Sequence, residues 1–129
     1  MVSGARYVYL GMVWIYLAAI AVQTFLAGIG MFGAGGDFEL HRNLGYLLHL
    51  VPVLLVIVAV VGRVGSTTLW WTGALFVTVA VQPLLPGLRA DMPLAAALHP
   101  VLALLIFWLT LTVGLRAWRL VRGPETVSA

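Results

Sequence analysis

The chain has no cysteine, no lysine and only four acidic residues in 129. Without cysteine it can form no disulfide, no thiolate metal site and no iron–sulfur cluster. All seven of its basic residues are arginines. Charged residues make up 9% of the chain and hydrophobic ones 63%, with a mean hydropathy of +1.09. A soluble domain carries about a quarter charged residues, so the solvent this composition suits is lipid. The net charge of +3 and the pI of 10.0 do not point to nucleic acid. No glycine-rich phosphate loop or basic–aromatic surface stretch accompanies them, and arginines at helix ends are what membrane topology demands. The first partner implied is therefore the bilayer.

What is present is four long apolar runs, at about 7–32, 40–61, 69–85 and 94–118. A membrane-crossing helix needs roughly 20 residues and the core of a signal peptide only about 7–15. The first run therefore reads as a retained span. It closes in the glycine-rich GIGMFGAGGD, the second stops at Gly62–Arg63, and the third is closed by Pro83 and Pro86. Residues 119–129 form a polar tail whose last residues are expected to be disordered. The fold class predicted is an all-α, integral membrane four-helix bundle. It forms a single transmembrane domain over 1–129, with two repeated hairpins running antiparallel, up and down.

The arginines orient it. An end bearing both termini collects Arg6, Arg63, Arg116, Arg119 and Arg122, whereas the opposite end has Arg42 and Arg89 beside Asp37, Glu39 and Asp91. The positive-inside rule then predicts a multi-pass protein of the cell (inner) membrane with both termini cytoplasmic. Tyr7, Tyr9, Trp70, Trp71 and Trp118 fall near the same end, as an interfacial aromatic belt would.

An internal repeat is visible. Ala21-Val22-Gln23 recurs as Ala80-Val81-Gln82, and LHRNLG, from Leu40 to Gly45, has a counterpart in LHPVLA, from Leu98 to Ala103. Gln23 precedes His41 by 18 residues and Gln82 precedes His99 by 17. Each half is thus a hairpin with a glutamine on its first span and a histidine on its second.

Ionisable residues inside spans are costly and mark function by default. Here they are His41, His49 and His99, with Gln23 and Gln82 as polar companions. No acid or arginine lies deep in a span, which argues against an ion pump. No nucleophile–base pair stands out, so no catalytic residue is assigned and the chain reads as a non-enzyme sooner than an enzyme. Neutral imidazoles on different helices of a bundle suit haem iron. The repeat selects His41 and His99 as the ligand pair. Gly45 and Ala103, one turn beyond each, leave room for a flat macrocycle. Arg42 and Arg89 are candidates to pair with propionates, and Gln23 and Gln82 to orient the imidazoles. By depth, His49 is the rival partner of His99, since it lies about 12 Å further along the helix than His41. The repeat favours His41, and the choice stays open. Any of these residues can instead serve as an interhelical hydrogen-bond anchor, and the glycines at 28, 30 and 33 as packing contacts.

At LHRNLG and LHPVLA the chain resembles one half of a haem A synthase. In that family each four-helix half places one ligand histidine on its second helix, in an HR-type motif, and another on its fourth. The resemblance implies His41 and His99 as haem ligands, with Arg42 the motif arginine. The chain departs from the family in having one half rather than two and no cysteine pair. Glu39 stands two residues before His41, and no catalytic role is carried over to it. As a whole the chain is similar to an uncharacterised family of small four-span bacterial membrane proteins, which implies the fold and no activity. The expected function is a small b-type cytochrome-like protein holding one haem b between its second and fourth spans, for electron transfer or haem handling with a redox partner or quinone. The alternative is a cofactor-free interaction or assembly subunit, in a homo-oligomer or a larger membrane complex. A quinone pocket between the hairpins is a third expectation.

Overall fold

The structure is a computed structural model describing residues 2–33 and 37–123. The turn expected at 34–36 and the tail from 124 onward, where disorder is expected from sequence, lie outside the described residues. Among the described residues the chain is all helix, without strands: α1 (Val2–Phe32), α2 (Glu39–Leu48), α3 (Val51–Val61), α4 (Ser66–Val81), α5 (Leu84–Gly87), α6 (Pro93–Ala96) and α7 (Leu98–Arg122). These join into four spans, Val2–Phe32, Glu39–Val61, Ser66–Gly87 and Pro93–Arg122, each long and apolar enough to cross a membrane. The protein is a multi-pass membrane helix bundle.

Prolines make the interruptions. Pro52 has no N–H to offer the Leu48 carbonyl, and the chain tightens there, with Leu50 N bonding Leu47 O at 3.2 Å. Pro83 and Pro86 likewise end α4 at Val81 and leave one further turn, α5. α1 contains no proline and is continuous over 31 residues. Helix ends overrun the apolar runs. α7 continues to Arg122, so residues 119–122, the start of the expected tail, are helical, and Arg119 and Arg122 stand in its last turn against the negative end of the helix dipole.

The spans form a closed ring. Span 1 packs on spans 2 and 4, and span 3 packs on the same two, so spans 1 and 3, and spans 2 and 4, face each other diagonally across the axis. Packing is tightest at the end that carries both termini. The buried cluster there includes Tyr9, Val13, Leu55, Ala59, Leu75, Val113 and Ala117. At Gly114 a Cβ would stand 3.3 Å from Val13 Cγ1, so glycine lets α7 lie close against α1.

Tyr9 does not belong to an aromatic belt. It is fully buried, and its hydroxyl lies 2.5 Å from Thr72 Oγ1 across the first diagonal. Thr72 gives its own proton to the Thr68 carbonyl at 2.9 Å, so Tyr9 is the donor. Tyr7 and Trp70 do face outward, whereas Trp71 packs edge-on against Trp108 at 5.5 Å. Towards the other end the burial falls away. Between residues 21 and 51, and between 80 and 105, the described chain buries only Gly30 and Leu85.

Candidate functional site

The loosely packed end holds the histidines. In the first hairpin the Gln23 amide donates from Nε2 to the His41 carbonyl at 2.6 Å, while His41 Nδ1 meets the Gln23 carbonyl at 3.0 Å. The second hairpin repeats this arrangement. Gln82 Nε2 donates to the His99 carbonyl at 3.0 Å, and His99 Nδ1 meets the Gln82 carbonyl at 3.1 Å. Each glutamine–histidine pair is thus a reciprocal clasp, side chain to backbone in both directions.

The clasps fix the protonation of both rings. A backbone carbonyl only accepts, so Nδ1 carries a proton, and in the neutral ring Nε2 is then the nitrogen with the lone pair. They also bring the rings together. His41 and His99, on diagonally opposed spans, have centroids 6.2 Å apart and ring planes inclined at 73°. Of the sequence candidates, these two are the ones whose rings meet, with planes steeply inclined to each other.

His49 is placed differently. Its Nδ1 turns back to the Gly45 carbonyl at 2.5 Å, one turn earlier on the same helix, and its Nε2 is buried without a partner. Gln23 Oε1 and Gln82 Oε1 are also buried and unpartnered. These three atoms are acceptors, so this end of the bundle carries a surplus of lone pairs over donors. No three His, Asp or Glu side chains among the described residues come close enough to hold one metal ion.

The smaller candidates have identifiable positions. A Cβ on Gly45 would stand 2.9 Å from Gln23 Nε2, so the absence of a side chain there makes room for the clasp amide. Ala103, one turn beyond His99, is half-buried. Arg42 and Arg89 are both exposed at this end. A residue the sequence reading missed is Phe38. Its ring lies over Gly30, where a Cβ would come within 2.7 Å of Phe38 Cδ1, and it stands edge-on to His41 at 6.3 Å. Gly30 thus packs within the chain. Asp37 Oδ1 accepts the Glu39 N–H at 2.7 Å in a local turn just ahead of α2, whose N-cap residue is Phe38.

No curated protein and no solved structure matches the chain, and the resemblance to a haem A synthase finds no support in either comparison. Residues 23–88 do match a known family. The matched stretch begins at Gln23 and takes in His41, His49 and Gln82, while His99 lies beyond it. That stretch is just over half of the sequence, and the chain belongs to DUF6220, a family of unknown function.

Proposed function

We propose that the chain is a small b-type cytochrome-like membrane protein that holds one haem b between spans 2 and 4 through His41 and His99. The observation that carries this reading is the ring pair, 6.2 Å between centroids across the bundle diagonal. Two imidazoles that would share one metal ion through Nε2, at metal–nitrogen distances of about 2.0–2.1 Å, need ring centroids no more than roughly 6.5 Å apart. With both Nδ1 atoms engaged by the glutamine carbonyls, Nε2 is the nitrogen each neutral ring offers for ligation. A macrocycle brings four nitrogens of its own, so a site with two histidines and no third ligand suits it. The scant burial at this end supports the reading as well, since α2 buries no residue.

Within the site, His41 and His99 bind, and Gln23 and Gln82 hold their tautomer and ring orientation. Arg42 and Arg89 supply positive charge for carboxylates at the rim. When bound, the haem supplies a one-electron couple, which fits electron transfer or haem handling with a membrane redox partner or quinone. Both termini are cytoplasmic in this reading, with the histidine end towards the far face of the cell membrane.

The test is an absorption spectrum of the detergent-purified protein with added haemin, before and after dithionite. A low-spin spectrum with sharp reduced bands is expected, lost in His99→Ala and not restored by His99→Gln. His41→Ala should abolish it, whereas His49→Ala should leave it. A protein that stays colourless with haem sinks the reading.

The clasps themselves favour a second reading, a cofactor-free assembly subunit. Four hydrogen bonds tie helix to helix within the two hairpins, and such bonds are what a packing role requires. In that case His99→Gln keeps the fold and its stability, and no variant acquires or loses colour.

A further inference from the structure

A second site lies at the opposite end of the bundle, independent of the histidines. Between the start of α4 and the last turns of α7 is an open cavity of about 310 Å³, lined by Val64, Thr68, Arg116, Arg119 and Leu120. We infer that this cavity binds the phosphate of an anionic phospholipid headgroup.

Among the described residues the charge there is one-sided. Arg6, Arg63, Arg116, Arg119 and Arg122 share this end, while every acidic residue of the described chain, Asp37, Glu39 and Asp91, lies at the other. Not all five arginines are available. Arg6 donates from Nε to the Gly62 carbonyl at 2.9 Å and from Nη2 to the Arg63 carbonyl at 3.1 Å. Arg122 lies over the Trp118 ring at 4.2 Å. The two that line the cavity are less committed. Arg116 bonds through Nε to Thr68 Oγ1, and Arg119 through Nε to the Leu115 carbonyl, each at 3.3 Å. Their Nη groups make no bond within the described residues, and a guanidinium presenting both is suited to phosphate oxygens. The Thr68 bond holds Arg116 against the cavity wall. α4 begins there at Gly65 with no side-chain cap, so its first-turn N–H groups add positive potential.

The source of the phosphate follows from depth. Tyr7, Trp70 and Trp118 are exposed at this end, as aromatic residues at a headgroup boundary are. Val64 and Leu120 give the cavity an apolar rim that suits acyl chains, and basic pockets between spans at this depth suit lipid headgroups.

The experiment is thermal unfolding in neutral detergent with added phosphatidylglycerol, phosphatidylcholine or inorganic phosphate, supported by native mass spectrometry of the lipid-bound chain. Phosphatidylglycerol should raise the melting temperature saturably and phosphatidylcholine should not. Arg119→Glu, on an exposed side chain and safe for folding, should weaken the effect at least tenfold. Arg116→Gln with Arg119→Gln should abolish it, while Arg89→Gln at the far end should leave it intact. Equal effects of the two lipids, or full binding by Arg119→Glu, would overturn the inference. Equal protection by inorganic phosphate at matched concentration would overturn the assignment to lipid.

Discussion

The two hairpins solve one problem with different residues, and the comparison predicts how each clasp tolerates change. Beyond His41 stands Gly45, and the Gln23 amide reaches the His41 carbonyl at 2.6 Å. Beyond His99 stands Ala103, and the Gln82 amide reaches the His99 carbonyl at 3.0 Å. A Cβ at Gly45 would crowd the end of a flexible side chain and no backbone atom. Gly45→Ala should therefore relax the first clasp towards the geometry of the second, at a cost under about 1 kcal/mol, near the mean worth of a polar contact between membrane helices. Gly45→Val cannot be accommodated by that adjustment. It should expel the amide, cost roughly 1–2 kcal/mol and leave the His41 carbonyl without its side-chain donor. Reversible unfolding in mixed micelles measures both, and a Gly45→Ala as damaging as Gly45→Val contradicts the account. At this scale the sequence was informative. The spacings of 18 and 17 residues placed each glutamine opposite its histidine. What it could not reveal is the reciprocity, because backbone carbonyls carry no residue label. Phe38 and Thr72 were illegible for a related reason: an aromatic in a turn and a threonine in a span acquire roles only from what the fold sets beside them.

Among the elements, the four spans follow from length and hydropathy, and their interruptions follow from proline. Pro52 is fully buried at the joint between α2 and α3. Its missing N–H leaves the Leu48 carbonyl without a helical donor, and the tightened turn sets the direction of α2 and so the position of His41. Pro52→Ala restores the donor and should fuse residues 39–61 into one straighter helix, carrying His41 away from His99. Because the chain has no cysteine, Asn43→Cys and Val101→Cys, both at exposed positions, can be spin-labelled without background. The inter-label distance should change by several ångströms in Pro52→Ala, and an unchanged distance would show that packing against α1 alone directs α2. The run boundaries were the least legible part of the elements. Apolar runs mark what lies in lipid, whereas helices continue through basic residues that the helix dipole favours, as α7 does to Arg122.

The whole molecule is asymmetric along its axis in packing and in charge. One end carries the buried core, the Tyr9–Thr72 bridge and five arginines; the other carries the clasped histidines, three acids, two arginines and almost no buried side chain. That asymmetry makes orientation a physical prediction. Translocating a loop costs more as its arginine content rises, whereas acids contribute little, so the end with Arg6, Arg63, Arg116, Arg119 and Arg122 should remain cytoplasmic. Ser3→Cys and Ala90→Cys, one at each end and both exposed, report on it directly. In intact cells a membrane-impermeant maleimide should label Ala90→Cys and leave Ser3→Cys untouched until the membrane is permeabilised. The reverse pattern would place the histidine end in the cytoplasm, against the arginine bias. Arg63→Glu together with Arg119→Glu narrows the difference from five against two to three against two and should yield a mixture of both orientations. A protein that kept one orientation after that change would owe it to the order in which its spans insert.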